Sequence, residues 1–381
     1  MKSNQIKKST IIIEEPGLLS TIQDLGRFEY QKYGVPTSGA LDSLAFQIGN
    51  ILLGNSYENP GIETTMIGPT IKFKSNMWIC ITGAQSSPTV DGHEIQMWKP
   101  IYVKENSILN WGTLNWGTRS YILFKMDMKI EKTMNSYSAN TSIGIGGHDN
   151  GQPLKKGDKI SLINSNSSIP PLYNNFDYTK HYISQENDIT LRIILGPHDD
   201  YFNQNEINKF LSSEYKITPQ SNRIGYRLSG TKIKHINKSD IISEGGSLGS
   251  IQIPGEGQPI ILLQDRGTTG GYPKIATIAT VDIPKIAQAQ PGQVIKFKKI
   301  DIEESISLLR SNNQILHNLN SRYNANYYID IENTNKEITI FDKNKNKIAS
   351  TQVPDPIQDY KSYHLNAKYK KKKYSFKINI G

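Results

Sequence analysis

The chain has 381 residues and a formal net charge of +9, and 36% of its residues are hydrophobic, which indicates two or three domains with packed cores. Five lysines near the C-terminus, Lys368 and Lys370–Lys373, supply more than half of this charge, so the rest of the chain is only mildly basic. Because it also lacks a helix-turn-helix, RNA-binding or zinc-finger pattern, we expect no nucleic-acid partner.

The single cysteine and the N-terminus indicate the compartment. Cys80 is the only cysteine, so no disulfide can form within the chain, which fits a reducing environment. It lies in the apolar run Met77–Ile81 and is interpreted as a small buried hydrophobe rather than a nucleophile. The polar segment Met1–Thr10 does not resemble a signal peptide, and no run approaches the ~20 apolar residues of a membrane span. We therefore expect a cytoplasmic protein without a membrane partner.

Short β runs separated by Gly, Pro, Asn and Asp make up most of the chain. Their spacing and their content of Ile, Val, Thr and Tyr predict barrels or sandwiches, that is, a mainly β fold with a few short helices. The predicted strands include Thr70–Phe73, Met77–Thr82, Ile101–Val103, Ser120–Phe124, Ile189–Leu195, Ile260–Leu263, Ala276–Val281 and Val294–Lys298.

Three segments have helical periodicity. In Leu41–Leu53 apolar residues recur on one face, Asp42 lies near the positive helix end, and Gly54-Asn55 is a typical C-terminal stop. A second helix is predicted at Asp200–Ser212. A third begins at Ile302–Leu309, with acidic residues in its first turn.

Changes in composition divide the chain into six parts. Residues 1–10 are expected to be disordered, 11–165 to form an N-terminal β unit, and the polar segment 166–187 to be a linker. Residues 188–300 form a C-terminal β unit, 301–353 a helix and a β-hairpin around Asp342–Lys345, and 354–381 a mobile basic tail. The tail is interpreted as a solvated end, with contact to an acidic partner as the alternative.

Two consecutive loops of the N-terminal unit concentrate polar residues. The first contains Gln23, Asp24 and Arg27, and the second contains Ser38 and Asp42. Turn geometry accounts for Gly and Pro in these loops, but not for the crowding of polar side chains. A carboxylate beside a guanidinium can hold a planar amide or carboxylate substrate. Alternatively, Asp24 and Arg27 pair only to pin the turn.

A third polar segment contains Asn222, Arg223, Tyr226 and Arg227. If this segment is extended, Arg223 and Arg227 share parity and therefore a face. Arginine suits a phosphate, carboxylate or carboxybiotin-like group, so the two arginines are candidate anion ligands. Surface ion pairs are the alternative interpretation.

The most specific pattern is the Gly-rich segment QDRGTTGGYP, which follows the predicted strand Ile260–Leu263. Successive glycines let backbone amides approach an anion closely. The segment is neither a P-loop nor a dinucleotide-binding fingerprint. A tight hairpin that needs Gly for its geometry is the alternative. The candidate site residues are Gln264, Asp265, Thr269, Gly270, Gly271 and Tyr272.

The ordered set of these segments resembles one protein family. It is similar to the family of the 5-oxoprolinase C subunit, also called the allophanate hydrolase subunit 2 or biotin-dependent carboxyltransferase family, which includes an antagonist of a sporulation kinase inhibitor. The resemblance covers Ile11 to Lys299 and most of the chain. The motifs are PGLLSTIQDLGR, YGVPTSGALD, Gly61-Ile62-Glu63, Gly68-Pro69, Ile81-Thr82-Gly83-Ala84, Leu195-Gly196-Pro197, SNRIGYRLSG and QDRGTTGGYP, in that order.

The resemblance implies two cyclophilin-like β-barrel units that face each other across a cleft. It also implies a cytoplasmic complex with a B-type subunit and an A-type subunit, which opens 5-oxoproline to glutamate at the expense of ATP. ATP is expected to be used by the complex, whether or not this chain binds it, and a small amide is the expected substrate. We expect no metal, and no covalent biotin, because the run at 124–129 lacks the required Met-Lys-Met turn.

One departure from the family pattern concerns the loop before Ser138. Family members have a Gly-Gly-hydrophobic turn before a Gly-Ser-x-Ser-Thr segment, whereas this chain has FKMDMK at 124–129 and NSYSANT at 135–141. The paired glycines are absent, while Ser136 and Ser138 keep the Ser-x-Ser pattern. The shape of this loop, and with it the choice of substrate, is left open.

Opening a poorly electrophilic amide requires that it be fixed and that charge on its oxygen be stabilised. We hypothesise that Arg27, Arg223 and Arg227 hold anionic groups. Asp24 or Asp265 would act as the acid, base or orienting carboxylate.

The Gly-rich segment would supply the remaining groups. The amides of Gly270 and Gly271, with Thr269, would bind an oxyanion, and Tyr226 or Tyr272 would stack on the substrate or donate to it. Two other functions stay open. One is a regulatory protein that antagonises a histidine-kinase inhibitor by binding it, and the other is a carboxyltransferase subunit that uses biotin carried on another chain.

Overall fold

The structure is a computed structural model that describes residues 8–163, Pro170 and residues 188–323, and the backbone of five further strands between residues 327 and 380. The described chain is mainly β, as predicted, and it contains four α-helices. The predicted linker 166–187 lies outside the described residues apart from Pro170. Residues 8–10 begin a strand rather than belonging to a disordered N-terminus, because they pair with residues 161–163.

Two sheets form the N-terminal unit. The first has the order β11-β12-β1-β4-β9-β6-β7 and the second the order β2-β3-β10-β5-β8. Apolar side chains of both sheets meet in one core, since Ile11 and Ile71 of the first sheet and Ile22 and Ile122 of the second are buried together. The strands are β1 (Lys8–Glu15), β2 (Leu19–Gln23), β3 (Gly61–Thr65), β4 (Thr70–Phe73), β5 (Met77–Ser86), β6 (Thr89–Val90), β7 (His93–Glu94), β8 (Pro100–Val103), β9 (Ile108–Asn110), β10 (Leu114–Phe124), β11 (Asp127–Met128) and β12 (Lys159–Ile163).

Helix α1 (Ser43–Leu53) packs against the second sheet. Asp42 caps it, because Oδ1 accepts the N–H of Ala45 over 3.1 Å, and Gly54 ends it with a φ of 66°. The predicted helix is therefore confirmed from Ser43 onward. Leu41 precedes the cap, and its buried side chain belongs to the core of the other unit.

Strands of the C-terminal unit close into a barrel, in the order β13-β20-β17-β18-β15-β14-β21. The parallel pair β13 and β21 closes it, with Ile189 opposite Ile295, so the barrel has no open sheet edge. Strands β16 and β19 form a separate ribbon. The strands are β13 (Asp188–Leu195), β14 (Tyr215–Ile217), β15 (Gly225–Gly230), β16 (Glu244–Gly245), β17 (Ser250–Gln252), β18 (Ile260–Leu262), β19 (Thr269–Gly270), β20 (Lys274–Ile278) and β21 (Val294–Lys299).

Two helices lie beside the barrel. The predicted helix Asp200–Ser212 is split into a 3-10 turn, Asp199–Tyr201, and helix α2 (Gln204–Ser212), because Asn203 caps α2 by accepting a backbone N–H at 3.0 Å. Helix α3 (Ile283–Gln288) was not predicted, since six residues are too few to show a helical period. Further 3-10 turns occur at Gln31–Tyr33 and Thr280–Asp282.

The C-terminal extension has more regular structure than predicted. Helix α4 (Ile302–Tyr323) is longer than the predicted start, and its Leu319 packs against the α1 cluster. The predicted hairpin is part of a three-stranded sheet of β22 (Tyr327–Glu332), β23 (Glu337–Asp342) and β24 (Lys347–Gln352), while its turn at 343–346 lies outside the described residues.

The predicted basic tail, 354–381, contains two strands, and its mobility stays a prediction. Strands β25 (Lys361–Tyr369) and β26 (Lys372–Ile380) pair antiparallel along their whole length. Alternating residues in both strands fit a hairpin period, which the run of lysines concealed. In the part of the chain that the structure describes, no helix is long and apolar enough to cross a membrane.

Candidate functional site

Arg223 is buried where the two β units meet, and it joins three segments. Its Nε and Nη2 donate to the two carboxylate oxygens of Asp265 over 2.7 and 3.1 Å. Its Nη1 donates to Oε1 of Glu63, and Nη2 also donates to the carbonyl of Gly39 at 2.8 Å. Burial lowers the pKa of Arg223, but the charges of Asp265 and Glu63 outweigh it and raise the pKa above its ordinary value. The guanidinium therefore stays charged and occupies both oxygens of Asp265, which favours an orienting role for this carboxylate over that of a base.

Glu63, on β3, is the central carboxylate of this junction, although it was not a predicted site residue. Its Oε2 accepts from the N–H of Leu41 at 2.8 Å and from the hydroxyl of Tyr121 at 2.9 Å. The Nε of Arg119 lies 3.9 Å from Oε1, and only 2% of the Glu63 side chain is exposed. A carboxylate inside a short strand of apolar and Thr residues is the sequence signal that was missed, because buried charges are nearly always paired.

Arg119, on β10, connects the N-terminal unit to the barrel and was also missed. Its Nη1 donates to the hydroxyl of Tyr226 and to the carbonyl of Ala287, each over 2.7 Å. The guanidinium lies 5.7 Å from the centre of the Tyr226 ring. Tyr226 is 3% exposed, and its hydroxyl donates to the carbonyl of Ala289 at 3.2 Å. It is therefore a contact between the units rather than a ring open to substrate.

Gln288, at the end of α3, joins the cap of α1 to β10. Its Nε2 donates to Oδ2 of Asp42 at 2.7 Å and to the carbonyl of Arg119 at 2.8 Å. Its Oε1 accepts the N–H groups of Thr118 and Arg119, both at 2.9 Å. Burial raises the pKa of Asp42 to about 7, against the hydrogen bonds from Gln288 and Ala45 that lower it. Asp42 is fully buried with a partner on each oxygen, which is the arrangement of a structural cap.

Asp24 is held by the Ser-x-Ser segment. Its Oδ1 accepts from the hydroxyls of Ser136 and Ser138, at 2.7 and 2.5 Å, and from the N–H of Gly26 at 2.8 Å. Its Oδ2 accepts the N–H of Tyr137 at 2.7 Å. Both oxygens thus fasten the loop around residue 137 to the first of the two Gln-Asp turns, Gln23–Arg27; the second is Gln264–Thr268. The Ser-x-Ser pattern that the sequence retains has a structural explanation.

Arg27 is fully buried and does not form the predicted pair with Asp24. Its Nε donates to the carbonyl of Thr133 at 3.2 Å and its Nη2 to the carbonyl of Ser138 at 2.7 Å. Its Nη1 has no hydrogen-bond partner among the described residues. Burial lowers the pKa of Arg27, and the charges of Asp24 and Asp265 offset this only in part. The two side chains of the first turn therefore fasten the same loop separately.

The loop at 37–42 brings the two Gln-Asp turns together. Oε1 of Gln23 accepts the N–H of Gly39 at 3.1 Å. The N–H of Ser38 donates to the carbonyl of Gln264 at 3.1 Å, and Nε2 of Gln264 donates to the carbonyl of Ala40 at 3.4 Å. Gln23, Ser38 and Gln264 are all buried, so the predicted polar residues meet, but mainly by satisfying one another and the backbone.

A cavity of about 310 Å³ lies where the two units meet. This volume is at the lower end of the range for small-ligand sites. The first unit contributes the loop that follows the first Gln-Asp turn rather than the turn itself, and the second unit contributes the residues around the β16–β19 ribbon. The lining residues are Gln31, Pro36, Thr37, Gly245, Gly246, Ser247, Arg266 and Thr268.

Arg266 supplies the positive charge of this cavity and was not a predicted site residue. Its Nε donates to the carbonyl of Gly246 at 2.8 Å and its Nη1 to the carbonyl of Leu263 at 3.2 Å. Within the described ranges no carboxylate forms an ion pair with it, and burial lowers the pKa of Arg266. A guanidinium without a counter-ion at a cavity wall favours an anionic ligand. The sequence signal was its place directly after Asp265.

Arg227 and Asn222 lie apart from the junction. Both are exposed, and Oδ1 of Asn222 accepts the N–H of Ile224 at 2.8 Å within a turn. The prediction that Arg223 and Arg227 share a face is wrong. Strand β15 begins at Gly225, so Arg223 precedes the strand and the two-residue period does not reach it.

The other predicted residues of the Gly-rich segment lie next to the cavity in sequence. Thr269 and Gly270 form β19, and the carbonyl of Gly271 accepts the N–H of Ile241 at 2.9 Å. Tyr272 is 40% exposed. None of these residues lines the cavity, whereas the preceding Thr268 does. An oxyanion site at 269–271 stays a prediction.

Lys125 occupies the segment in which the family pattern has paired glycines. Its Nζ donates to the carbonyl of Gly54, the residue that ends α1, at 2.7 Å. Burial lowers the pKa of Lys125 to about 8, and the charge of Asp127 opposes this. Oδ1 of Asp127 accepts from Nδ2 of Asn59 at 3.0 Å. The departure from the pattern thus ties β10 to the loop after α1, away from the cavity-lining residues.

A family model supports the resemblance read from the motifs. The model described as carboxyltransferase domain, subdomain A and B, matches residues 33–299. This range includes every residue that lines the cavity except Gln31, and all of the closed barrel.

Proteins of two kinds are similar to this chain in sequence. Urea amidolyase of Saccharomyces cerevisiae is 34% identical over 336 residues, which is 84% of this chain and 18% of that protein. The C subunit of 5-oxoprolinase from Haemophilus influenzae is 32% identical over 300 residues, which is 77% of this chain and 92% of that protein. The chain therefore spans less than a fifth of the yeast urea amidolyase but most of the bacterial protein.

A solved structure shares the fold as well. The crystal structure of the Kluyveromyces lactis urea amidolyase superimposes with a TM-score of 0.76 at 29% identity, over 83% of this chain and 20% of that chain.

Proposed function

Since the chain belongs to the carboxyltransferase-domain family, we propose that it is the amide-binding component of an ATP-dependent complex that opens 5-oxoproline to glutamate. The complex would be cytoplasmic and would include A-type and B-type subunits. ATP would be consumed by the complex, and this chain would bind and orient the amide. The similarity to the 5-oxoprolinase C subunit of Haemophilus influenzae, over 92% of that protein, supports the choice of this reaction.

The cavity with Arg266 is the observation that carries the proposal. 5-Oxoproline is a five-membered ring with one amide and one carboxylate, and a cavity of about 310 Å³ has room for a ligand of that size. Arg266 lies in its wall with hydrogen bonds only to two backbone carbonyls. Its guanidinium would hold the substrate carboxylate, and that contact would fix the ring amide relative to the protein.

Hydroxyl groups in the cavity suit the amide end of such a substrate. Thr37 and Ser247 come from different units, and Thr268 follows Arg266 by two residues. A hydroxyl can donate to the amide oxygen as negative charge develops there or accept from the amide N–H. The substrate would then contact both units at once.

The Arg223 cluster would position Arg266 without touching substrate. Asp265 directly precedes Arg266, and both of its carboxylate oxygens are held by Arg223. Glu63 fixes the same guanidinium from the other unit. Because the cluster joins the two cavity walls, it would keep the cavity at a constant width.

The proposal is tested with purified complex reconstituted from this chain and candidate A- and B-type subunits, by following ATP hydrolysis that depends on 5-oxoproline. We expect Arg266→Met to raise KM for 5-oxoproline by about 10- to 100-fold, the loss of a charge-assisted hydrogen bond of roughly 1.5–3 kcal/mol. Arg266→Lys should recover part of the loss, because it restores the charge but not the two-pronged geometry.

Arg227→Met is the matched control, because Arg227 is an exposed arginine of the same unit, outside the cavity. It should leave KM and the turnover rate unchanged. An unchanged KM in Arg266→Met, in a complex that still assembles, would contradict the assignment of the cavity.

A second candidate function follows from the structural match to urea amidolyase. We propose as the alternative that this chain transfers a carboxyl group from biotin carried on another chain to an amide such as urea. Isotope-labelled bicarbonate, ATP and a biotinylated carrier chain would distinguish the two reactions. Labelled carbon in a carboxylated urea product supports the transfer, whereas glutamate formed without bicarbonate supports the opening of 5-oxoproline.

A further inference from the structure

Lys274, the first residue of β20, is a buried ammonium group outside the cavity described above. Its side chain is 3% exposed, and its Nζ donates to Oε1 of Glu244. The Glu244 side chain is 46% exposed. An ammonium group that is almost inaccessible is therefore covered by a carboxylate that reaches it from the surface.

His198 is a second donor to the same carboxylate. Its Nδ1 accepts the backbone N–H of Lys274 at 3.2 Å, so the ring proton lies on Nε2. Nε2 is 3.1 Å from Oε1 of Glu244. The hydrogen bond and charge of Lys274 lower the pKa of Glu244 below its ordinary value, although burial opposes them. Two donors thus converge on one carboxylate oxygen.

Gln252, opposite Lys274 in the pairing of β17 with β20, has an amide nitrogen without a hydrogen-bond partner among the described residues. Residues directly opposite one another in antiparallel strands point to the same face. Gln252 is 6% exposed, and its Nε2 has no hydrogen-bond partner within the described part of the chain. A buried donor without an acceptor is unfavourable, so an acceptor in this position would be bound preferentially.

The β16–β19 ribbon places these groups together. Glu244 pairs with Gly270 across the ribbon, and Gly270 lies against Nε2 of Gln252, which a Cβ at this position would crowd. Gly245, the neighbour of Glu244, lines the cavity of Arg266. The ribbon therefore adjoins the cavity at Gly245 and carries, at Glu244, the carboxylate that covers Lys274.

We propose that Lys274, His198 and Gln252 form a second binding site, for a small carboxylate or bicarbonate, and that Glu244 occupies this site until such a ligand displaces it. The Glu244 carboxylate already has the chemistry that the site selects: a planar anion that accepts from an ammonium and an imidazole N–H. An incoming carboxylate would keep both contacts, and its second oxygen would accept from Gln252. Glu244 could then move into solvent, where it is already half exposed.

This inference does not depend on the proposed reaction, and binding to the full chain tests it. Isothermal titration calorimetry at constant ionic strength would use L-5-oxoproline and sodium bicarbonate as separate probes. We expect Glu244→Gln to bind at least one probe about tenfold more tightly than the unsubstituted chain, since the competing charge is removed while the side chain keeps its size. The probe that binds more tightly shows whether the site takes an organic carboxylate or bicarbonate.

Gln252→Met provides the matched loss of function. In the Glu244→Gln chain it should weaken binding about tenfold without lowering Tm, because it removes buried donors that have no partner and conserves volume. Lys274→Met should abolish binding. In the Arg266→Met background, where 5-oxoproline loses its proposed contact in the cavity, Glu244→Gln should still give the tenfold gain in affinity, which separates this site from the cavity.

Three results would overturn the inference. The first is that neither probe binds Glu244→Gln more tightly than the unsubstituted chain. The second is that Gln252→Met retains the full affinity. The third is that the gain from Glu244→Gln disappears in the Arg266→Met background, since the ligand would then occupy the cavity.

Discussion

In the first Gln-Asp turn, Asp24 takes all of its side-chain hydrogen bonds from its own unit, two from serine hydroxyls and two from backbone N–H groups. In the second, both oxygens of Asp265 are held by the guanidinium of Arg223, which also reaches Glu63 in the other unit. The same dipeptide is thus used once to shape a loop within a unit and once to join the two units.

The arginines of the two turns also differ in their surroundings. Arg27 is fully buried and bonded to carbonyls of the loop that Asp24 holds. Arg266 lines the cavity and is bonded to carbonyls of its own unit. A crowd of polar residues thus indicates a fixed loop shape as readily as a ligand site. What separates the two cases is whether a charged group is left at a cavity.

The largest effect should come from removing the guanidinium that connects the second turn to the other unit. Arg223→Met leaves Asp265 and Glu63 buried without their shared cation, and loss of one partner of a buried ion pair costs about 3–5 kcal/mol. We expect the free energy of unfolding, measured by urea denaturation, to fall by that amount.

Arg227→Met, an exposed arginine four residues away, is the control and should change stability by less than about 0.5 kcal/mol. Equal effects of the two substitutions would show that the Arg223 cluster does not join the units.

A substitution in the first turn should lower stability and leave substrate binding unchanged. Asp24→Asn keeps the shape of the side chain but replaces one acceptor oxygen by an N–H₂ group, so four donors compete for one oxygen. We expect a loss of about 2–3 kcal/mol in urea denaturation. KM for 5-oxoproline should stay within about twofold of that of the unsubstituted complex at a temperature at which both are folded. A large change in KM without a loss of stability would show instead that Asp24 takes part in substrate binding or catalysis.

The sequence predicted features that depend on neighbours along the chain. The end of α1 follows from Gly54 and its start from Asp42, which caps a helix three residues ahead. The partners of Arg223 could not be predicted in the same way, because Glu63 lies 160 positions away and reaches it only through the contact between units.

The choice between Asp265 and Arg266 as the cavity residue shows a second limit. The two are adjacent, and a turn can direct either side chain towards a cavity, so residue type alone favoured the carboxylate. Asp265 is not free, because Arg223 holds both of its oxygens, whereas Arg266 forms no ion pair with a carboxylate among the described residues. Both are properties of the folded arrangement.

Asp42 is a further buried carboxylate, and among the described residues its oxygens accept from a backbone N–H and an amide, with neither a hydroxyl nor a guanidinium bound to them. Its pKa is raised from 3.8 to about 7 in the folded protein. Between these values the folded protein keeps a proton that the unfolded chain releases, so the contribution to stability is complete below about pH 4 and is lost as the pH rises through about 7.

We therefore expect the unsubstituted chain to lose about 2 kcal/mol more than Asp42→Asn between pH 5 and pH 7. Urea denaturation across this range provides the measurement, with the Asp240→Asn variant, at an exposed position, as control. Parallel pH profiles for the unsubstituted chain and Asp42→Asn would contradict the assignment of the slope to Asp42.

The smallest effect should come from removing a single hydroxyl that is bonded to the first turn. The hydroxyl of Ser136 donates to Oδ1 of Asp24 at 2.7 Å and accepts the N–H of Ser138 at 3.0 Å. Ser136→Ala removes both bonds, but three other donors remain on Asp24, so we expect a loss of about 1 kcal/mol in urea denaturation. Ser142→Ala, at an exposed position of the same loop region, should change stability by less than about 0.5 kcal/mol. If Ser136→Ala instead equals Asp24→Asn in its effect, the hydroxyl and the carboxylate act as one inseparable unit. If it has no effect, the backbone N–H groups alone hold Asp24, and the Ser-x-Ser pattern needs another explanation.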